Sequence, residues 1–252
     1  MKSLKKRKWN FLPDSPAKPH GSSDEGESHG HGNHHGDGHG HGHHHDRGLK
    51  AMVRYTRNFN RMWSNKANDH IVDLVDPQAG ELVVDLGAGM GPAAVLAVGR
   101  GAEVVAVEPT PFMRRILTLR RLGQRGRSRL QVMDGTAEKI PVADGAANAV
   151  WAVNSVHHWH NLSVAATEIA RVLAPGGRVV LVDEDFDHPD HERNTKPRKE
   201  SHSDHLHKHQ MKPVDASTMA EHLIDAGLVD VEAGNILVCP GIPAKQARAA
   251  AP

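Results

Sequence analysis

Val83-Val84-Asp85-Leu86-Gly87-Ala88-Gly89-Met90-Gly91 decides the fold of this chain. An apolar run that ends in an acid and three alternate glycines reads as a strand turning tightly into a helix. Gly87, Gly89 and Gly91 lack the Cβ that blocks close approach or disfavours positive φ, and the following helix offers unpaired N–H groups and a positive dipole end. Such a turn lets a nucleotide-type ligand lie on backbone. The dinucleotide pattern G-x-G-x-x-G requires a sixth-position glycine, where this chain has Pro92, so a nicotinamide reading fails while G-x-G-x-G holds.

Outward from this turn, apolar runs alternate with helical patterns. Strands are expected near 82–86, 103–107, 129–132, 148–154 and 178–183, with helices near 92–99, 111–122 and 163–173 between them. A further helix is expected over Asp215 to Gly227, with Asp215 as capping acid and Gly227 as terminator. Two short strands near 228–233 and 235–239 close the sheet, and the Ala-rich end of the chain is expected to fray. The alternation predicts an α/β, Rossmann-like, doubly wound sheet of seven strands, mostly parallel with one antiparallel strand. Ligands bind such sheets beyond the carboxyl ends of the strands at the topological switch point.

Asp85-Leu-Gly-Ala-Gly-Met-Gly91 resembles motif I of the class I S-adenosylmethionine (SAM)-dependent methyltransferases, in their type 11, UbiE-like branch. Further segments follow in that family's order. Ala102-Glu-Val-Val-Ala-Val-Glu108 is a strand ending in the acid that, by the resemblance, binds the ribose hydroxyls. Gly135-Thr-Ala-Glu-Lys-Ile-Pro141 is similar to the loop beside the adenine, and Arg171-Val-Leu-Ala-Pro-Gly-Gly-Arg-Val-Val-Leu-Val182 to the turn and strand five. The resemblance spans about residues 63 to 240. It implies a cofactor site of Asp85, Gly87, Ala88, Gly89, Gly91, Glu108, Thr136, Ala137 and Asn154, with SAM bound there and a small-molecule methyl acceptor beside it.

Two positions depart from the pattern. Thr136 replaces the adenine-loop acid, and the nearest carboxylate, Asp134, sits two positions early. A hydroxyl is a weaker partner than a carboxylate, which moves adenine recognition toward the backbone at Thr136 and Ala137. Some relatives share this form together with a later His-Trp pair, here His158-Trp159. Ala147-Asn148-Ala149 stands where Phe-Asp is commoner, yet Val150 to Asn154 still reads as a buried strand.

His157, His158 and His160 follow strand four, at the mouth where an acceptor enters. His158 is the candidate base or orienting group; its bland alternative is a hydrogen bond to a neighbouring loop. Trp159 reads as pocket wall or as packing. Tyr55, Phe59 and Trp63 recur at i, i+4 and i+8 and share a helix face, to pack on the sheet or to cap the cofactor.

Two histidine-rich regions bear on metals. Residues 1–47 hold little apolar material and are expected to be a disordered tail, with the methyltransferase-like domain over 48–252. Its tract includes His34, His35, His43, His44 and His45, which can chelate Ni²⁺, Zn²⁺ or Cu²⁺. After strand five, Asp183, Asp185, Asp187, His188, Asp190, His191 and Glu192 lead into His202, His205, His207 and His209. Their spacing matches no fixed-ligand motif and Lys/Arg residues interleave them, so a solvated polar lid is the reading preferred over a metal site.

With 252 residues the chain has room for one sizeable α/β domain and a tail, and its formal net charge of +1 gives no global field for nucleic acid. One cysteine, Cys239, excludes an intramolecular disulfide and reads as a buried strand residue. No apolar run reaches the ~18 residues of a membrane span, and Lys5-Lys-Arg-Lys8 precedes no signal-peptide core, so a cytoplasmic location is expected. Two functions remain open at this point: a SAM-dependent methyltransferase for a small molecule, or a metal-binding or metal-responsive protein built on a methyltransferase-like scaffold.

Overall fold

The computed structural model describes residues 63–195 and 214–252. The tail histidines, Tyr55, Phe59, His202, His205, His207 and His209, and the boundary expected near residue 48 lie outside the described residues. In chain order the elements are α1 (Lys66–Val75), β1 (Leu82–Leu86), α2 (Pro92–Gly99), β2 (Glu103–Val107) and α3 (Pro111–Leu122). They continue through β3 (Leu130–Met133), β4 (Ala147–Val153), α4 (Leu162–Val172), β5 (Leu173–Glu184), a short α5 (Glu192–Thr195), α6 (Ala216–Asp225), β6 (Val229–Cys239) and β7 (Ile242–Ala250).

The seven strands form one sheet in the order β3-β2-β1-β4-β5-β7-β6. Strands β1 to β5 pair in parallel, and β7 runs antiparallel to both β5 and β6. The chain steps outward from β1 through β2 to β3, then returns to β4 on the other side. The crevice between the carboxyl ends of β1 and β4 is therefore the switch point, and the glycine turn leaves β1 there.

Alternation along each strand divides the core in two. Val84, Leu86, Val105 and Val107 pack with Ala165, Ala166 and Ile169 of α4 and Met219 and Leu223 of α6. Val83, Val104 and Ala106 pack with Ile71 and Val72 of α1, Ala94 and Ala97 of α2 and Leu117 of α3. Both faces of the sheet are thus covered, and the strands read as near-continuous apolar runs for that reason.

Three expectations are corrected. The runs near 228–233 and 235–239 are one strand, β6, rather than two. The Ala-rich end does not fray: Ile242–Ala250 is β7, inserted between β5 and β6, with Ala244, Ala247 and Ala249 buried. Alanine has little intrinsic strand preference, so no periodicity announces this strand; two hydrogen-bonding neighbours and the need for small side chains under the helices decide it. Its buried polar residue, Gln246, meets His70 of α1 at 3.1 Å between Oε1 and Nε2. Asp215 occupies the cap position of α6 but makes no side-chain capping bond; its Oδ1 receives Lys245 Nζ at 3.1 Å instead. Cys239 ends β6 half-buried, and burial raises its thiol above the ordinary range.

Candidate functional site

The three glycines of the turn all have positive φ, +71° at Gly87, +56° at Gly89 and +78° at Gly91, yet they serve different ends. A Cβ on Gly87 would sit 2.5 Å from Ser155 Cβ, and one on Gly91 would sit 2.1 Å from Leu117 Cδ1. These two let the turn pack against the loop after β4 and against α3. A Cβ on Gly89 would meet nothing nearer than the Gly87 carbonyl at 4.0 Å, so only Gly89 opens onto space a ligand can take. Of the three glycines expected at the cofactor, Gly87 and Gly91 are therefore also close-packing positions. The backbone N–H groups of Gly87 and Ala88 are also committed, both donating to the Val107 carbonyl, at 2.9 and 3.1 Å.

Glu108, at the exit of β2, is buried and braces this turn. Its Oε2 accepts from the Gly89 N–H at 2.9 Å and its Oε1 from the Thr110 N–H at 2.8 Å. A carboxylate has about four lone-pair sites, so two remain for ligand hydroxyls. Asp85 lies beneath the turn rather than in its opening. It is 3% exposed, and neither its Oδ2 nor the nearby Trp151 Nε1 completes a hydrogen bond. Burial pushes its carboxyl up to about 7, and the charge of Glu108 adds to this, against the partial help of Trp151 and the Ala94 N–H at the start of α2.

That elevation predicts a pH-dependent contribution to stability. Because Asp85 binds its proton more tightly folded than unfolded, its contribution is complete below the unfolded pKa of about 3.9 and is lost as pH rises through about 7. Relative to Asp85→Asn, which cannot titrate, the wild type should lose at least about 1.4 kcal/mol between pH 4 and pH 8, the equivalent of one pKa unit. Urea unfolding of both proteins across that range checks it, and a constant difference would refute the buried, protonated reading.

The loop expected beside the adenine is a tight turn. Thr136 is exposed and Ala137 buried, and Thr136 pairs across a tight turn with Lys139, whose N–H donates to the Thr136 carbonyl at 3.2 Å. The carboxylate that organises this loop is Glu138, which sequence reading passed over. Its Oε1 accepts from the His160 N–H at 2.7 Å and the Asn161 N–H at 3.2 Å, joining the loops after β3 and β4. Burial opposes its charge, but these bonds and the Thr136 side chain outweigh it and hold the carboxyl below its ordinary range. Asp134 instead faces Arg114 at 2.7 Å. Arg171, which opens the Pro-Gly-Gly segment, fastens the same region from below through Glu168, Asp144 and the Ile140 and Val142 carbonyls.

Beyond β4 the histidines separate. His158, the expected base, is exposed; His157 is buried, with Nδ1 3.0 Å from Asp183 Oδ2 and its backbone N–H donating to the same oxygen at 2.9 Å. The two imidazoles lie face to face at an angle, 4.1 Å between centroids. Trp159 packs against the core, which favours the packing reading. Trp63 stacks with the Arg120 guanidinium of α3.

Asn154, expected at the cofactor, stands at the exit of β4. Its side chain is taken by Glu184: Nδ2 donates to Oε1 at 2.5 Å, and the Glu184 N–H donates to Asn154 Oδ1 at 2.8 Å. Asn65 donates to the same carboxylate, and fully buried His191 sits 3.0 Å from its other oxygen. Asn154 accordingly sits at φ +51°, with its amide spent inside the protein. Over the described part of the solvated lid expected after β5, Asp187, Asp190 and Glu192 are exposed, and other residues are tied into the fold. His191 is core, Asp183 holds His157, Asp185 faces Lys245, and Glu192 is tied by its N–H to the Gly241 carbonyl. Among the described residues no three or more His, Cys, Asp or Glu side chains come together as a metal site, and no helix is long and apolar enough to cross a membrane.

With this geometry in place, residues 84–181 match the methyltransferase domain family. That stretch is similar to the methyltransferase domain of the family. It runs from β1 through β5 and so includes the glycine turn, Glu108, the adenine-side loop and the histidines. An uncharacterised methyltransferase of Mycobacterium tuberculosis is 40% identical over 111 residues, 44% of this chain and 43% of that protein. The ubiquinone/menaquinone biosynthesis C-methyltransferase UbiE of Rubrivivax gelatinosus is 31% identical over 125 residues, 49% of this chain and 46% of that one. The chain thus spans less than half the length of these relatives.

Among solved structures, the phosphoethanolamine N-methyltransferase 2 of Haemonchus contortus aligns over 75% of this chain and 53% of that one, with TM-score 0.60 and 15% identity. The geranyl diphosphate C-methyltransferase of Streptomyces coelicolor A3(2) aligns over 81% and 83%, with TM-score 0.57 and 17% identity. Both likenesses show the same Rossmann-like methyltransferase fold.

Proposed function

We propose that this chain transfers a methyl group from SAM to a small-molecule acceptor. The observation that carries the reading is the turn at the β1/β4 switch point, where Gly89 alone opens outward and buried Glu108 braces it from the end of β2. A scaffold without a cofactor has no use for a buried carboxylate with lone pairs to spare beside the open glycine of this turn. Named relatives and fold neighbours include a ubiquinone/menaquinone biosynthesis C-methyltransferase, a phosphoethanolamine N-methyltransferase and a geranyl diphosphate C-methyltransferase, which supports a small acceptor without selecting one.

When bound, SAM supplies a methyl already activated by its sulfonium. The chain's task is then positioning: Glu108 toward the ribose hydroxyls, the Gly89 opening for the cofactor's body, and the loop after β4 toward the acceptor. Aligning the attacking atom with the S–CH₃ bond can be worth effective molarities of about 10⁵ M or more.

Calorimetric titration of the full chain with SAM tests the assignment. Glu108→Gln keeps the side chain's shape and loses its charge, so SAM should bind about 1.5 to 3 kcal/mol more weakly. Unchanged affinity in that variant, or no binding by the wild type, would sink the cofactor assignment.

A further inference from the structure

We propose that His157, oriented by Asp183, is the proton acceptor of the methyl transfer. The inference rests on the methyl-transfer reading above and adds a residue to it. Three features set His157 apart. Its Nδ1 lies 3.0 Å from Asp183 Oδ2, and its own backbone N–H fixes that same oxygen at 2.9 Å, so carboxylate and ring are locked together. Both residues are buried, which protects the pair from competing water and leaves Asp183 Oδ1 without a partner. And the pair is tied to the cofactor turn: Ser155, two residues earlier, donates from Oγ to the Leu86 carbonyl at 2.9 Å and packs on Gly87.

With Nδ1–H given to Asp183, the neutral ring carries its acceptor lone pair on Nε2, the nitrogen opposite the carboxylate. A base whose far nitrogen is held by a buried acid is the arrangement by which an imidazole's tautomer and direction are both set. In the proposed step the acceptor's lone pair attacks the methyl carbon and the S–CH₃ bond breaks with its electron pair going to sulfur. The acceptor's proton passes to His157 Nε2, and the imidazolium formed is balanced by Asp183 until the proton leaves to water. His157 is the catalytic residue here, and Asp183 is a positioning residue.

A purely structural His–Asp clamp would hold the ring just as firmly but would bury Nε2, and this difference is measurable before any acceptor is known. Full-length protein with ¹⁵N-labelled imidazoles, compared with His157→Gln to identify the resonance, should show His157 with Nε2 unprotonated near neutral pH. Peptide-resolved carbethoxylation by diethyl pyrocarbonate should modify His157 in the native protein, and about tenfold more slowly in Asp183→Asn, with recovery in Asp183→Glu. A proton on Nε2, a His157 that reacts only after unfolding, or equal rates with and without the Asp183 carboxylate would each overturn the proposal. SAM titration of His157→Gln separates the two readings: it should bind SAM like the wild type, whereas failure of the wild type to bind SAM would fault the methyl-transfer reading and leave the tautomer result standing.

Discussion

Gly91→Val should destabilise the protein by about 2 to 5 kcal/mol and lower its thermal midpoint by roughly 10 °C, while Gly89→Val leaves most of the stability intact and loses the cofactor. The two glycines are two residues apart with similar positive φ, so the strain of a β-branched residue in the left-handed region, about 1 to 2 kcal/mol, is common to both. What differs is what a Cβ meets. At Gly91 it would lie 2.1 Å from Leu117 Cδ1 and 3.2 Å from its Cγ, and Leu117 is fully buried, so its side chain must shift within the core. Overpacking of that kind adds about 1 to 3 kcal/mol. At Gly89 the added methyls enter the opening that the cofactor needs. Circular dichroism melts and SAM titration of the two variants decide the matter. If Gly91→Val is as stable as Gly89→Val, the division of labour within the turn is wrong.

That division marks a limit of what the sequence makes legible. Gly-x-Gly-x-Gly after an apolar run and an acid announces a strand, a turn and a helix, and the ends of α2 and α3 fall where the pattern places them. The periodicity of apolar residues is local, so elements whose pattern repeats along the chain are readable from it. Which face of a turn a glycine presents depends instead on Ser155 and Leu117, 68 and 26 residues away from Gly87 and Gly91, and no local pattern encodes that. β7 failed to register for a related reason. Its alanines are selected by the space between two neighbouring strands and two covering helices, while the one local signal that could have revealed it is Pro240-Gly241, a turn dipeptide with Gly241 at φ +82°.

The candidate site shows the same boundary more finely. Glu108 was legible because a carboxylate at the end of an apolar strand has few structural reasons to be there. For Asn154 and His158, residue type alone does not say which polar group already has a partner within the protein. A strand-end Asn and an exposed His look available in sequence, but Asn154 faces Glu184 across 30 residues, and the buried histidine is the one next door. His157-His158 gives no sequence cue to which ring turns inward; the acid that selects it, Asp183, is 26 positions on.

The Glu184 knot is where such long-range pairing should cost most when broken. One carboxylate collects Asn65 from the cap of α1, Asn154 from the exit of β4 and buried His191 from the segment after β5. Glu184→Ala removes the acceptor from all three donors at once and leaves them in the interior, so about 3 to 5 kcal/mol of stability should be lost at pH 7. The loss should depend on pH in a direction fixed by the pair. Burial opposes the charge of Glu184, but the bonds to His191, Asn65 and Asn154 outweigh it and depress the carboxyl below its ordinary value. A depressed acid contributes stability that is present above the unfolded pKa of about 4.3 and lost as pH falls through its lower folded value. The gap between wild type and Glu184→Ala, read by urea unfolding, should therefore be widest near neutrality and shrink below pH 4. Asn65→Ala should give a smaller loss, since Asn154 and His191 still satisfy the carboxylate. A gap that stays the same from pH 7 to pH 3 would mean that Glu184 is held there by packing alone, and that Asn154, at its positive φ, is not spent on it but kept for a ligand.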